Sequence, residues 1–440
     1  MPKFIADFHI HSKYSRATSK EMDLENLDKW ARIKGVDILG TGDFTHPTWF
    51  RELKEKLEPA EAGLFKLKKI NRIKLNNGWH LPNGQGKEAE LRYILTSEIN
   101  CIYKKRGKTR KVHLLVFVPS FGAVEKINAH LGWIGNLKAD GRPILGIDAQ
   151  ELVKIVFNVS PEAVVVPAHI WTPHFSIFGS GSGFDSIQEC FGEYSRNIFA
   201  VETGLSSDPA MNWRLSQLDN LTLISNSDSH SPSRIGREAN IFEGQVEGYR
   251  PLMEGLRLGA KAPSSLKNRL VQTIEFFPQE GKYHYDGHRN CEIAQNPQET
   301  KKTKGLCPVC KKLLTIGVLN RVEKLADRPL GGQPARVIPF VSVIPLEEII
   351  AASFGIGVSA KKVENEYRDL INRFGKEFKI LLDLPREELE KAAKPEVVEG
   401  ILRVREGRVK IHPGYDGEYG KIEIFTKDEK TAFNTQSSLF

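Results

Sequence analysis

His9-Ile10-His11 near the start of the chain and Asp228-Ser229-His230 far along it are two metal-ligand frames, each set at the polar end of an apolar run. Between them Asp43, Glu98, His113 and His169 stand beside their own β-branched and aliphatic stretches, Val36 to Leu39, Tyr93 to Leu95, Leu114 to Val118 and Val164 to Val166. A lone histidine at a strand end is usually a hydrogen-bonded core or surface residue. The same placement repeated strand after strand argues against that reading, because a barrel builds its active site from side chains at the C-terminal ends of its strands. These residues are therefore read as the two ends and the middle of one metal site.

The surrounding pattern supports this architecture. Residues 1–262 alternate strand-like runs with amphipathic helical stretches, the mark of an α/β barrel or wound sheet. A first helix is predicted from Asp23 as N-cap through the stripe Leu24, Leu27, Trp30 and Ala31 to Gly35 as its left-handed terminator. Strands are predicted at 36–40, 92–96, 112–118, 163–166, 199–202 and 221–224, a number that favours a barrel. The 440 residues are 40% hydrophobic and 27% charged, with no apolar run long enough to span a bilayer. The N-terminal stretch has no basic and apolar leader pattern, so the expectation is a cytoplasmic protein that does not meet membranes. Five cysteines, three of them at Cys291, Cys307 and Cys310, suit metal binding better than disulfides, while Cys101 and Cys190 are expected to be buried thiols.

After Pro263 the alternation stops. His288-x-x-Cys291 and Cys307-x-x-Cys310 are paired knuckles with zinc-ribbon spacing, which predicts a structural Zn²⁺ in a module over 263–328, with His284 an alternative fourth ligand. Lys301, Lys302 and Lys304 flank the second knuckle, and basic zinc modules often meet nucleic acid. The net charge is +8. A second basic cluster, Lys104, Lys105, Arg106, Lys108, Arg110 and Lys111, reads as a hairpin tip suited to phosphates as well as to solvent. Arg234 and Arg237, just beyond the Asp-x-His frame, are candidate phosphate clamps. The aromatic and glycine-rich stretch from Trp171 to Phe184 is either a lid or a pocket for an extruded base. A linker at 329–334 leads to a mainly helical region over 335–440, with a glycine turn at Gly355-Ile356-Gly357, strands anticipated through Val404, Val409, Ile411 and Ile422, and a disordered tail from Lys427. That tail ends in Leu439-Phe440, an apolar pair that could dock on a sliding clamp.

His9 and His11, two apart on a strand, face one way and can share a cation; Glu98 can bridge two cations, and Asp228 with His230 adds a further pair. Such mixed ligation suits Zn²⁺, Mn²⁺ or Fe²⁺, with Mg²⁺ also open, in a cluster that generates hydroxide near neutral pH and stabilises an in-line phosphoryl displacement. The order His9-x-His11, Thr41-Gly42-Asp43, Glu98, His113, His169, Asp228-x-His230 resembles the polymerase and histidinol phosphatase (PHP) metallophosphoesterases. That resemblance implies a distorted (β/α)7 barrel with two or three metals, held here by His9, His11, Asp43, Glu98, His113, His169, Asp228 and His230, with Glu98, Asp228 and His230 at the reaction centre. Asp43 stands where the family has histidine, with His46 a nearby substitute, and a further family histidine has no counterpart among Ser15, Arg16 and Ala17.

The zinc module and helical tail, with Pro167-Ala168-His169, Gly236-Arg237-Glu238 and Gly281-Lys282-Tyr283-His284, extend the likeness to the endonuclease Q family. This implies a DNA-repair enzyme cutting 5′ to uracil, hypoxanthine, xanthine or an abasic site, with such DNA as its partner. The rival readings are a small-molecule phosphatase of the histidinol phosphatase type and a non-catalytic DNA-binding PHP module.

Overall fold

The computed structural model describes residues 1–75, 79, 90–426 and 429. Strands β1 (Lys3–Asp7), β2 (Ile38–Gly40), β3 (Arg92–Lys105), β4 (Lys108–Val118), β5 (Val164–Pro167), β6 (Ala200–Glu202), β7 (Thr222–Ile224), β8 (Ala239–Gly244), β9 (Asn268–Glu275) and β10 (Phe340–Ser342) build the main body. Their order in the large sheet is β10-β9-β8-β1-β2-β3-β4-β5. The short parallel pair β6 and β7 fills the space between the two ends of the curved part of this sheet. Ile170, just after β5, donates its N–H to Glu202 O of β6 at 3.1 Å. On the other side Asn240 of β8 donates Nδ2–H to Ser225 O at 2.6 Å and accepts from Ser225 N at 3.0 Å.

The period of two along the strands explains how both faces are covered. Ile94, Leu115, Phe117, Val164 and Val166 turn to one face and pack with Phe4, Ala6, Phe8 and Phe242. Their neighbours Tyr93, Leu95, Leu114, Val116 and Val165 turn to the other face and meet the helices. Helix α1 (Leu24–Lys34) is capped as predicted: the Asp23 carboxylate accepts from Asn26 N at 2.9 Å, and Gly35 follows at φ 91°.

The expected boundary at 262 is corrected by the sheet. β9 pairs antiparallel with β8, and β10 pairs parallel with β9, so residues 268–275 and 340–342 belong to the main body. The zinc module is thus an excursion between adjacent strands. Among the described residues no hydrophobic cluster is confined to it; its Val318 and Val322 join the main core.

The C-terminal region has its own core, formed by α2 (Leu346–Phe354), α3 (Lys361–Phe374) and α4 (Pro395–Arg405), to which Ile33 of the main body and Phe277, just past β9, contribute. Gly355, at φ 68°, ends α2 and makes the predicted turn. Lys34 Nζ meets the buried Glu377 carboxylate at 2.7 Å, tying the region to the main body. Val404, anticipated in a strand, lies in α4, where it packs on the core with Val397 and Ile401 at helical spacing; the terminal hairpin is restricted to Lys410–His412 and Lys421–Glu423. The expected disordered tail and its clamp-docking end lie outside the described residues, apart from Glu429. No described helix is long and apolar enough to cross a membrane.

Candidate metal centre

The predicted residues meet at one rim because of strand direction. β1, β2, β3 and β5 run parallel within the sheet, and β6 and β7 run parallel to each other. His9 and His11 follow β1, Asp43 follows β2, His169 follows β5, and Asp228 follows β7. Glu98 lies within the long strand β3. His113 lies on β4, which runs antiparallel to β3, so the first half of that strand reaches the same rim.

Two ligand groups form there: His9, His11 and Asp228 in one, Glu98, His113 and His169 in the other. Glu98 belongs to both by distance. Its Oε2 lies 3.4 Å from His11 Nε2 and 3.7 Å from His9 Nε2. Its Oε1 lies 2.6 Å from His113 Nδ1 and 2.9 Å from His169 Nε2. Asp228 Oδ1 lies 3.0 Å from His11 Nε2 and 3.6 Å from His9 Nε2. Ligand atoms about 2.1 Å from a tetrahedral ion stand roughly 3.4 Å apart, so the His9, His11, Glu98, Asp228 set has the right dimensions for a cation. Its chemistry agrees: His9 Nε2, His11 Nε2 and Asp228 Oδ1 are buried without a hydrogen-bond partner, a costly arrangement unless a cation joins them. In the second group the facing atoms stand closer, with His113 Nδ1 2.6 Å from Glu98 Oε1 and 3.2 Å from His169 Nε2.

The electrostatics carry the same demand for positive charge. Burial would lower the His9 pKa, but the carboxylates of Glu202, Asp228 and Glu98 raise it well above the usual imidazole value. Burial opposes ionisation of Glu98 too, yet His113, His9 and Arg142 hold its pKa well below the ordinary range. Asp43, His169 and Asp228 all adopt left-handed backbone, at φ 48°, 30° and 46°, conformations that cost energy outside glycine and cluster at functional sites.

Asp43 does not join either ligand group. Its Oδ1 accepts from His11 Nδ1 at 3.0 Å, and its Oδ2 takes hydrogen bonds from Ser12 N, Ser12 Oγ and Ser15 Oγ at 2.6, 2.7 and 2.8 Å. Both oxygens are thus occupied in orienting His11 from behind. His46 caps a helix and stacks on Tyr14, its ring centroid 4.5 Å away. His230 stands at the mouth, its side chain 32% exposed and its ring 4.6 Å from that of His11.

Two residues of the site went unread in the sequence. Glu202, fully buried at the end of β6, accepts from His9 Nδ1 at 3.0 Å, from His169 N at 2.8 Å and from Asn226 Nδ2 at 2.8 Å. An acid closing the run Phe199 to Val201 was the available signal. Arg142, in a loop away from any predicted strand, reaches Glu98 Oε2 with Nη1 at 3.0 Å.

At the second candidate centre His288, Cys291, Cys307 and Cys310 bring one ligand atom each within 4.8 Å of one another. His284 falls outside that group. It is buried and stacked on Tyr285, and burial pulls its pKa to about 4.

The basic residues divide. Lys301, Lys302 and Lys304 are exposed, and so is Lys104. The hairpin turn at Arg106-Gly107 has the paired positive φ values of a tight two-residue loop. Lys105 lies 3.3 Å from Asp148 and Arg106 3.3 Å from Glu189. Arg234 departs from its expected role as a free phosphate clamp, since its guanidinium pairs with Glu348 of the C-terminal region. Arg237 is packed over the Phe276 ring at 5.3 Å. In the aromatic loop Trp171, Phe178 and Phe184 are core residues, which favours packing for those three; Phe175 alone of its aromatics lies half-buried beside His113, with ring centroids 5.0 Å apart.

Comparison with known proteins places this arrangement. A family described as the MJ0043 C-terminal domain matches residues 345–408. The uncharacterized protein MJ0043 of Methanocaldococcus jannaschii is 33% identical over 310 residues, 68% of this chain, and the match spans only 38% of that longer protein. The uncharacterized protein YqxK of Bacillus subtilis is 28% identical over 435 residues, 96% of this chain and 100% of its own. The crystal structure of the lesion-specific endonuclease PfuEndoQ from Pyrococcus furiosus superposes with a TM-score of 0.81 at 28% identity, covering 96% of this chain and 95% of that one. The chain is similar to endonuclease Q over nearly its whole length. A second endonuclease Q structure, in complex with a 27-mer duplex substrate carrying an abasic lesion at the active site, matches with a TM-score of 0.79 at 29% identity over 98% of both chains. The endonuclease Q likeness therefore spans the ligand rim, the His288 to Cys310 ligand group and the helical region together.

Proposed function

We propose that this chain is a DNA-repair endonuclease that hydrolyses the phosphodiester 5′ to an abasic site or to a deaminated base such as uracil, hypoxanthine or xanthine. The observation that carries the reading is Glu98, which places one oxygen in each of two adjacent ligand groups, within a chain that follows endonuclease Q from end to end. In this reading residues 1–262 with the added strands β9 and β10 form a distorted (β/α)7 barrel of the PHP type. His9, His11, Glu98 and Asp228 would hold one divalent ion, and Glu98, His113 and His169 would hold a second. Bound ions there supply a nucleophile at neutral pH and neutralise charge on the phosphate in flight.

The chain's own residues do the rest. Glu202 and Asp43 fix the ring orientations of His9 and His11 through Nδ1, which keeps each Nε2 aimed into the site. His230 sits at the solvent edge with Nδ1 directed at Asp228 O, 2.8 Å away, and so presents Nε2 outward as a proton carrier for the leaving oxygen. Lys104 on the hairpin and Lys301, Lys302 and Lys304 beside the second Cys pair, all exposed, would hold the DNA backbone. Lys105 and Arg106 would join them by giving up their acidic partners Asp148 and Glu189. His288, Cys291, Cys307 and Cys310 would hold a structural zinc.

The test is incision of duplexes bearing a single abasic site, uracil or hypoxanthine, mapped on a denaturing gel. A cut on the 5′ side of the lesion leaving a 3′-hydroxyl is expected, with Asp228→Asn inactive yet still able to bind the duplex. Equal cutting of undamaged DNA, or phosphate release from histidinol phosphate without nicking, refutes the reading.

A further inference from the structure

We propose that Arg142 is a catalytic residue of this centre, whose guanidinium binds a non-bridging oxygen of the scissile phosphate. The inference rests on the phosphodiesterase reading above and adds the group that touches the substrate.

Exposure at the site is concentrated on three side chains. His9, His11 and Glu98 are 0% exposed, His113 6% and His169 9%. Asp228, His230 and Arg142 are 26%, 32% and 26% exposed. Asp228, His230 and Arg142 are thus the side chains of the centre most open to solvent, and Arg142 alone among them carries a permanent positive charge.

The guanidinium is held in place with donors to spare. Nη1 is hydrogen-bonded to Glu98 Oε2 at 3.0 Å, and among the described residues Nε and Nη2 have no protein acceptor. A group serving only to neutralise Glu98 has no need of an open face. A planar fork with one tooth on the bridging carboxylate and the others toward solvent is suited to a phosphate.

The backbone beneath it is pinned on both sides. Gly141 donates to Tyr14 O at 3.0 Å and accepts from Thr45 Oγ1 at 3.2 Å. Arg142 N donates to Asp140 Oδ1 at 3.1 Å, and Pro143 O accepts from Asn100 N at 3.0 Å. The close approach at Gly141 allows no side chain, since a Cβ there would fall 2.3 Å from Asp43 Oδ2 and 2.4 Å from Ser15 Oγ. The loop is therefore packed against the carboxylate that orients His11, and Arg142 is registered to the metal rim through it. Such preorganisation is what makes a charged donor effective against charge that develops in a transition state. In the hydrolysis itself water oxygen joins phosphorus, the bond to the 3′ oxygen breaks, and the proton released by water is balanced by the one gained at that oxygen. Arg142 exchanges no bond.

The experiment compares wild type, Arg142→Ala, Arg142→Gln and Arg142→Lys on an abasic duplex under single-turnover conditions, and on bis(p-nitrophenyl) phosphate, with metal content measured for each. Arg142→Ala and Arg142→Gln are expected to keep their metals and slow cleavage about 100- to 1000-fold. Added guanidinium is expected to restore part of the Arg142→Ala rate without accelerating wild type, and Arg142→Lys to fall between. Unchanged cleavage by the alanine and glutamine variants overturns the proposal, as does loss of barrel metal with no guanidinium rescue, which would make Arg142 a counter-ion only. If wild type cleaves the small ester but not the lesion duplex, the DNA reading fails and Arg142 is judged on the ester.

Discussion

Replacing Glu98 by Ala tests the centre at its hinge. In the first ligand group it leaves His9, His11 and Asp228; in the second it leaves only His113 and His169, whose facing nitrogens are 3.2 Å apart. Two neutral imidazoles without a carboxylate do not make a zinc site of the usual three or four ligands, so the second ion is lost outright. The first keeps three ligands but loses a negative charge and acquires an enemy. Arg142, 3.0 Å from Glu98 Oε2 in the native protein, loses its hydrogen-bonded counter-charge beside the cation. Elemental analysis after dialysis is expected to fall from about three ions per chain to about one, the ion of the Cys307 and Cys310 module, which does not depend on the barrel. Glu98→Asp, shorter by one methylene, reaches at most one of the two groups and is expected to keep about two ions. Retention of about two ions or more by Glu98→Ala would refute bridging and place Glu98 in a single group.

Asp43→Asn is expected to retain full metal stoichiometry with affinity at the first ion reduced about 10- to 100-fold, because Asp43 orients His11 instead of binding; stoichiometric loss of an ion in a metal titration argues that it is a ligand. Glu275 is fully buried, and desolvation raises its pKa to about 8 despite hydrogen bonds from Thr273 and Thr203. Its protonated form is the one that favours the fold, so this stability is complete below the unfolded value near 4.5 and is lost as pH rises through about 8. Glu275→Gln should flatten the decline of unfolding free energy between those values, by an amount on the order of a few kcal/mol; parallel wild-type and mutant curves would exclude this role. Changing Cys307 and Cys310 together to Ser should unfold the zinc module while the barrel keeps its ions. Lys301, Lys302 and Lys304 replaced by Ala should leave zinc bound and flatten the slope of log affinity against log salt by roughly one unit per lost phosphate contact, and an unchanged slope would remove these lysines from the DNA interface.

How much of this was legible follows from what each residue depends on. His9, His11, Glu98, His113, His169 and Asp228 were readable because each lies in or beside its strand, where an apolar run and a polar residue are neighbours in sequence. Asp43 had the same local signature, and only the three hydrogen bonds to its Oδ2 from Ser12 and Ser15 show that it points behind His11. Arg142 had no signature at all, since its proximity to Glu98 depends on a loop pinned by Tyr14, Thr45 and Asn100. That the sheet runs on past the expected boundary at 262 was hidden for a related reason: a break in strand and helix alternation is visible locally, whereas the pairing of β9 with β8 and β10 is not.

The parallel neighbours β9 and β10 also change what the zinc module is. A crossover between adjacent parallel strands needs about a dozen residues, yet the chain spends all of 276–339 on it. The surplus is cargo, carried on a joint that the sheet closes without its help. An exchangeable head of this kind can change while the ligand rim stays as it is. The exchange is constrained twice, because Val318 and Val322 of the head pack in the main core and the far C-terminal hairpin docks on the same head: Tyr285 N donates to Gly414 O at 2.9 Å and Arg289 N to Asp416 Oδ2 at 2.7 Å. A graft between relatives must therefore move two pieces of chain, distant in sequence, as one heritable unit.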